Sequence, residues 1–210
     1  MGLEQSIMLG SLENVRQIIR ADRSLVNSRM GPGTPLHIAV HSGHIHVVTE
    51  LLENGAIQLM NSEGITPLML AADQGLTSIV RELLNNSTVG IDIQNPSSGD
   101  SALHHAVGKG HETTVKELLR RGAKLNSQNR LGFTPIRFAC QEGYTVIVEM
   151  LLNNGANPQL PDFSGFYPIH TAAQNNRAMT MKKLLHYGCD PDYVSRNYYL
   201  NNISKNVKYY

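Results

Sequence analysis

The chain has 210 residues, a formal net charge of +1, 17 % charged residues and two cysteines, Cys140 and Cys189. So even a charge balance creates no long-range field for nucleic acid or an anionic membrane surface, and two cysteines make no disulfide framework. No apolar run is long enough to cross a bilayer and no basic-then-apolar start marks a secretory signal, so the expected compartment is reducing: the cytoplasm, with the nucleus as a second location.

Residues 1–28 open the chain with Ile7, Leu12, Val15, Ile18 and Ile19 at helical spacing. Met1-Gly2 and Ser6 fit the loose myristoylation pattern, but no basic cluster supplies a second anchor, and the ordinary start of a helix is the reading adopted. From Thr34 the frame Thr34-Pro35-Leu36-His37-Ile38-Ala39-Val40-His41-Ser42-Gly43-His44 begins. Thr34 suits an N-cap, Pro35 suits the first helical turn, and Gly43 ends the helix. Val47, Val48, Leu51 and Leu52 then give a second helix its apolar face.

The same frame returns at Thr66-Pro67-Leu68, Ser101-Ala102-Leu103-His104, Thr134-Pro135-Ile136 and Tyr167-Pro168-Ile169-His170, each followed by a Leu pair. A period near 33 marks a stack of repeats. Units fall at about 29–60, 61–93, 94–128, 129–161 and 162–194, hereafter repeats one to five. Gly10 and Val15 lie one period before Gly43 and Val48, so residues 1–28 are a degenerate N-terminal capping repeat with one wet side. Met69 and Arg137 replace histidine in its column, and Asn176 replaces the turn glycine in repeat five. Asn95-Pro96-Ser97-Ser98-Gly99 is an insertion whose composition reads as a mobile rim loop. Residues 195–210 lose the pattern and form an irregular, tyrosine-rich tail.

These in-phase copies resemble the ankyrin-repeat family over about residues 5 to 194. The resemblance implies an all-α solenoid of stacked helix–turn–helix units with short hairpin-like fingers. It also implies that His37, His104 and His170 brace neighbouring repeats, and that partner selection lies in the off-consensus positions of the fingers and first helices.

Little in the chain reads as chemistry. Histidines that recur once per repeat lie one per layer and do not converge on a point. Cys140 sits in a small-residue column as a buried thiol. The densest basic group, Lys109, Lys116, Arg120, Arg121 and Lys124, is interleaved with Glu112 and Glu117 and reads as a solvated helix face. No catalytic residue, cofactor site or metal site is assigned.

The fingers of repeats two and three are small and polar, whereas those of repeats four and five carry Leu131, Phe133, Phe163, Phe166 and Tyr167. Three of the four phenylalanines of the chain lie there. Aromatic groups are common interface anchors. These five residues, with Gln141, Glu142, Gln174 and Asn175 on the first helices, are the expected partner-binding surface. Asn126 occupies a column in which some relatives are hydroxylated. The expected protein is a monomeric, non-catalytic scaffold or adaptor that binds a partner protein, without nucleic acid or membrane. The alternatives are a substrate-recognition subunit of a ubiquitin ligase, whose ligase-binding box residues 195–210 do not show, and an inhibitor of a kinase or transcription factor.

Overall fold

A computed structural model describes residues 1–86 and 90–190; the tail read at 195–210 lies outside the described residues. The described residues are all-α, and the chain divides into two compact units, one spanning Met1–Lys124 and one beginning at Leu125.

The first unit holds four helix pairs: α1 (Leu3–Met8) with α2 (Leu12–Ala21), α3 (Pro35–His41) with α4 (Ile45–Glu53), α5 (Pro67–Asp73) with α6 (Thr77–Asn85), and α7 (Ala102–Gly108) with α8 (Glu112–Arg120). The first helices pack in series, α1 on α3, α3 on α5 and α5 on α7; the second helices do the same from α2 to α8. A helix of six or seven residues is unstable alone, so these elements owe their stability to the faces they bury. Leu36, Ala39, Val40, Val48, Leu51, Ala71, Ala72, Val80, Leu83, Ala106, Val107, Val115 and Leu118 are fully enclosed. Each such Leu or Val is worth about 1.5–3 kcal/mol relative to exposure.

The histidine column works as a brace. The Thr34 N–H donates to His37 Nδ1 at 3.2 Å, so the ring proton sits on Nε2, which donates to the Ile65 carbonyl at 3.0 Å. One imidazole thereby caps its own helix and holds the exit of the next finger. Burial lowers the pKa of His37 and keeps the ring neutral. The second histidine column braces the opposite end of the repeat: His44 Nε2 reaches the Met8 carbonyl at 3.0 Å and His111 Nε2 the Asp73 carbonyl at 2.8 Å.

The basic stretch on α8 differs from its sequence reading. Glu117 is not part of a solvated face; it is 7 % exposed and takes bonds from Arg120 at 2.7 Å and Arg121 at 3.0 Å, with Arg81 of α6 at 3.8 Å. Hydrogen bonding by Arg120 is the main cause that holds its carboxyl down at about 2. A depressed carboxylate pKa gives stability that is fully present above the unfolded-state value near 4.5 and lost as pH falls toward 2. Glu117→Gln is therefore expected to lower the melting temperature at pH 7, with the gap to wild type closing between pH 4.5 and 2. A gap independent of pH across that window would show that the carboxylate charge contributes nothing.

The second unit holds α9 (Pro135–Glu142) with α10 (Thr145–Asn153) and α11 (Pro168–Gln174) with α12 (Ala178–His186). α9 packs on α11 and α10 on α12, around Ile136, Ala139, Cys140, Ile147, Val148, Leu151, Ala172 and Leu184. Burial pushes both cysteine thiols up, so neither is a nucleophile at neutral pH. Asn176 adopts φ 56°, the left-handed conformation that glycine takes in the equivalent turns. Inside each unit a part-buried threonine pair also joins neighbouring second helices, Thr77 to Thr114 at 2.7 Å and Thr145 to Thr180 at 3.1 Å.

Candidate partner-binding surface

The fingers of repeats two to five are turns each built on one Asn or Asp side chain. Asn61 Oδ1 accepts the N–H groups of Glu63 and Ile65, both at 2.9 Å; Asn129 Oδ1 accepts those of Leu131 and Phe133, both at 2.9 Å. Asp162 Oδ1 accepts those of Ser164 at 2.9 Å and Phe166 at 3.0 Å. A short polar side chain bonding backbone two and four residues on is what closes such loops. Neighbouring fingers within a unit are stitched by backbone bonds, Ser62 N–H to the Pro32 carbonyl at 2.8 Å and Phe163 N–H to the Leu131 carbonyl at 3.1 Å.

The inserted finger of repeat three is better ordered than its composition predicts. Pro96 has no N–H to give, and Asn95 Nδ2 instead donates to the Glu63 carbonyl at 2.8 Å. Asn95 Oδ1 holds the N–H groups of Ser97 and Ser98, at 2.7 and 3.1 Å. The extra residue is absorbed in a bonded turn.

The inner face of the first unit is polar. His41 meets Gln74 at 3.1 Å and Asp73 meets His105 at 3.3 Å. His104 turns the other way, to Ser101 at 2.8 Å, so the adjacent histidines serve different contacts. Among the described residues no group of three or more His, Cys, Asp or Glu is arranged to hold a metal ion.

The second unit separates the five aromatic and apolar finger residues into two sets. Leu131, Phe163 and Phe166 are 59, 70 and 42 % exposed. Phe163 lies against Gly132, where an added Cβ would stand 2.5 Å from the Phe163 backbone nitrogen. Phe133 and Tyr167 are less exposed. Phe133 is half-buried, edge-on to Phe138 at 5.8 Å and covered by the Arg137 guanidinium at 3.3 Å from its centroid. Tyr167 is 9 % exposed with its ring edge-on to His170 at 5.6 Å.

Gln141 and Glu142 are half-buried and bonded to each other at 3.0 Å, while Gln174 and Asn175 are exposed. Asn126 is exposed, and its Oδ1 accepts the Asn157 N–H at 2.8 Å.

Sequence reading missed what lies beneath the patch. Arg137 stands in the histidine column, and Asp162 in the column that is Asn61, Asn95 and Asn129 in repeats two to four. Arg137 Nε donates to Asp162 Oδ2 at 3.0 Å, with the two side chains 12 and 2 % exposed. The signal was legible: two off-consensus residues of opposite charge in adjacent repeats. Without a histidine, the Thr134 hydroxyl is buried with no hydrogen-bond partner.

A stack of capped helix pairs with Asx-closed fingers defines the ankyrin class. The family profile "Ankyrin repeats (3 copies)" matches residues 3–97, 56–129, 77–162 and 103–195. The chain belongs to the ankyrin-repeat family. It is similar to Ankyrin repeat and SOCS box protein 3 of Bos taurus, 38 % identical over 67 % of this chain and 27 % of that protein. It is also similar to a transient receptor potential cation channel subfamily A member 1 homolog of Caenorhabditis elegans, 32 % identical over 65 % of this chain and 12 % of that protein. The matched segment thus spans about a quarter or less of these relatives. Among solved structures, the ankyrin repeat protein EF0377 superposes with a TM-score of 0.82 at 31 % identity, covering 89 % of this chain and 97 % of that one. The ankyrin repeat domain of Bcl-3, a member of the IkappaB protein family, gives 0.85 at 26 % identity, covering 91 and 88 %. Ankyrin repeats generally mediate protein–protein interaction, on a fold that is typically non-catalytic. No helix among the described residues is long and apolar enough to cross a membrane.

Proposed function

We propose that the chain is a non-catalytic recognition module that holds a partner protein on the fingers of repeats four and five. The observation that carries this is the exposure of Leu131, Phe163 and Phe166 on two adjacent fingers. Rings of this size left in water favour burial against a partner, and polar Arg130 and Ser164 flank them. The turn bonds of Asn129 and Asp162 fix the backbone beforehand, which limits the ordering cost of association. Gln174 and Asn175 extend the surface onto α11, and Gln141 and Glu142 onto α9.

The double variant Phe163→Ser/Phe166→Ser tests the site. Captured partners identified by mass spectrometry are expected to lose at least tenfold in affinity for the variant, with helix content and most of the melting temperature retained, since Phe163 is largely in water and Phe166 nearly half so. Unchanged partners would move the site elsewhere. The similarity to a protein with a SOCS box favours one sharper reading, a substrate-recognition subunit of a ubiquitin ligase. Ligase subunits among the captured proteins support it. The likeness to a Bcl-3 domain supports instead an inhibitor of a transcription factor, with such a factor as the captured protein.

A further inference from the structure

We propose that Arg137 is a positioning residue that holds the aromatic finger at residues 162–166 in one conformation. In its effect on binding this rests on the reading of that finger as a docking surface; the geometry itself does not. Two braces of one kind can be compared within this chain. His37 reaches forward to the next finger and grips its exit, the Ile65 carbonyl, at 3.0 Å. Arg137 grips the entrance instead, through Asp162 Oδ2 at 3.0 Å. That carboxylate is the residue that closes the turn, because its other oxygen holds the Ser164 and Phe166 N–H groups. One side chain therefore bears on the bonds that orient both Phe163 and Phe166.

Arg137 is itself fixed from two further sides. Its guanidinium lies flat over Phe133, 3.3 Å from the centroid, and Nη1 reaches Gln141 Oε1 at 3.4 Å. A planar cation on an aromatic face and a directed Nε–H to a carboxylate leave few rotamers open. Thr134, in the same repeat, has a buried hydroxyl with no hydrogen-bond partner, a cost accepted where histidine was replaced. A neutral brace would have kept that bond and held the finger at its exit; the ion pair holds it at its root instead.

The chain contains no tryptophan, so Phe163→Trp introduces a single indole at an exposed position, excited to the red of the eight tyrosines. Time-resolved anisotropy of this probe variant reads finger motion with no partner present. With Arg137 intact, the fast nanosecond component is expected to be small. Arg137→Met, which keeps a long side chain and removes both the ion pair and the flat stack, is expected to raise its amplitude at least twofold. Amide exchange at Ser164 and Phe166 should quicken at least tenfold, with helix content unchanged. Arg137→His/Asp162→Asn, the pair found at His37 and Asn61, is expected to bring the amplitude back. An unchanged fast component and unchanged exchange in folded Arg137→Met would overturn the proposal. Should Arg137→Met fail to fold, Arg137→Gln, which also removes the charge and the ion pair, is judged by the same criteria. Because no partner is used, a rigid finger without binding counts against the docking surface alone, and a loose finger with binding counts against Arg137 alone.

Discussion

Asp162→Asn is expected to destabilise the chain by about 3 kcal/mol in urea unfolding, the low end of what is lost when one partner of a buried ion pair is removed. The low end applies because Arg137 keeps 12 % of its side chain in contact with water and retains the Phe133 face. The turn survives, since Asn Oδ1 can still accept the Ser164 and Phe166 N–H groups as Asn61 and Asn129 do in their fingers. What is lost is the carboxylate opposite the guanidinium. Arg137→His in that background should return most of the stability, to within about 1 kcal/mol of wild type, because the remaining pair is neutral and Thr134 regains a ring nitrogen. The coupling in this double-mutant cycle should be at least about 2 kcal/mol, because Arg137→His alone also takes the guanidinium from the buried Asp162 carboxylate. Additive single changes would mean that the ion pair contributes no net energy, and that its place in the fold comes from specificity of pairing alone.

That pair also shows how far the amino-acid order can be read. The repeat frame was legible because Thr-Pro-Leu, the turn glycine and the Leu pair are local signals, each fixed by capping, backbone or helical period. Asn176 was legible as a turn residue for the same reason, and φ 56° agrees. The candidate surface was legible in part: aromatic residues in two fingers stood out, but the side each ring takes depends on what the adjacent helix offers. Phe133 and Tyr167 found Phe138, Arg137 and His170 and turned inward, while Phe163 lies over Gly132, which has no side chain to cover it. Glu117 was misread because its spacing from Arg120 and Arg121 is also that of a solvated helix. Only the approach of Arg81 from the neighbouring repeat distinguishes the two.

Gly75→Ala is expected to cost about 2–3 kcal/mol, and Gly43→Ala only about 1–2 kcal/mol, although the two glycines occupy the same column. Both are left-handed, at φ 70° and 73°, so a side chain at either position meets the same backbone strain of about 1–2 kcal/mol. The difference lies in the next repeat. A Cβ on Gly75 would stand 2.6 Å from His111 Nδ1, and the ring would have to leave the Asp73 carbonyl that its Nε2 holds at 2.8 Å. That bond is worth about 1 kcal/mol. Over Gly43 the equivalent place is open, with nothing within 4 Å, because repeat two carries Leu76 where repeats one and three carry His44 and His111. The seam between repeats one and two therefore lacks the second-column histidine, although His37 still holds the Ile65 carbonyl across it. Leu76→His supplies a ring there, with the His41 carbonyl two residues before Gly43 as the acceptor, as Met8 and Asp73 are for the other two rings. In that background Gly43→Ala should become as costly as Gly75→Ala, a coupling of about 1 kcal/mol read from urea unfolding of the four variants. A coupling of zero would show that the ring does not settle over the turn, and that the difference between the two glycines comes from another source.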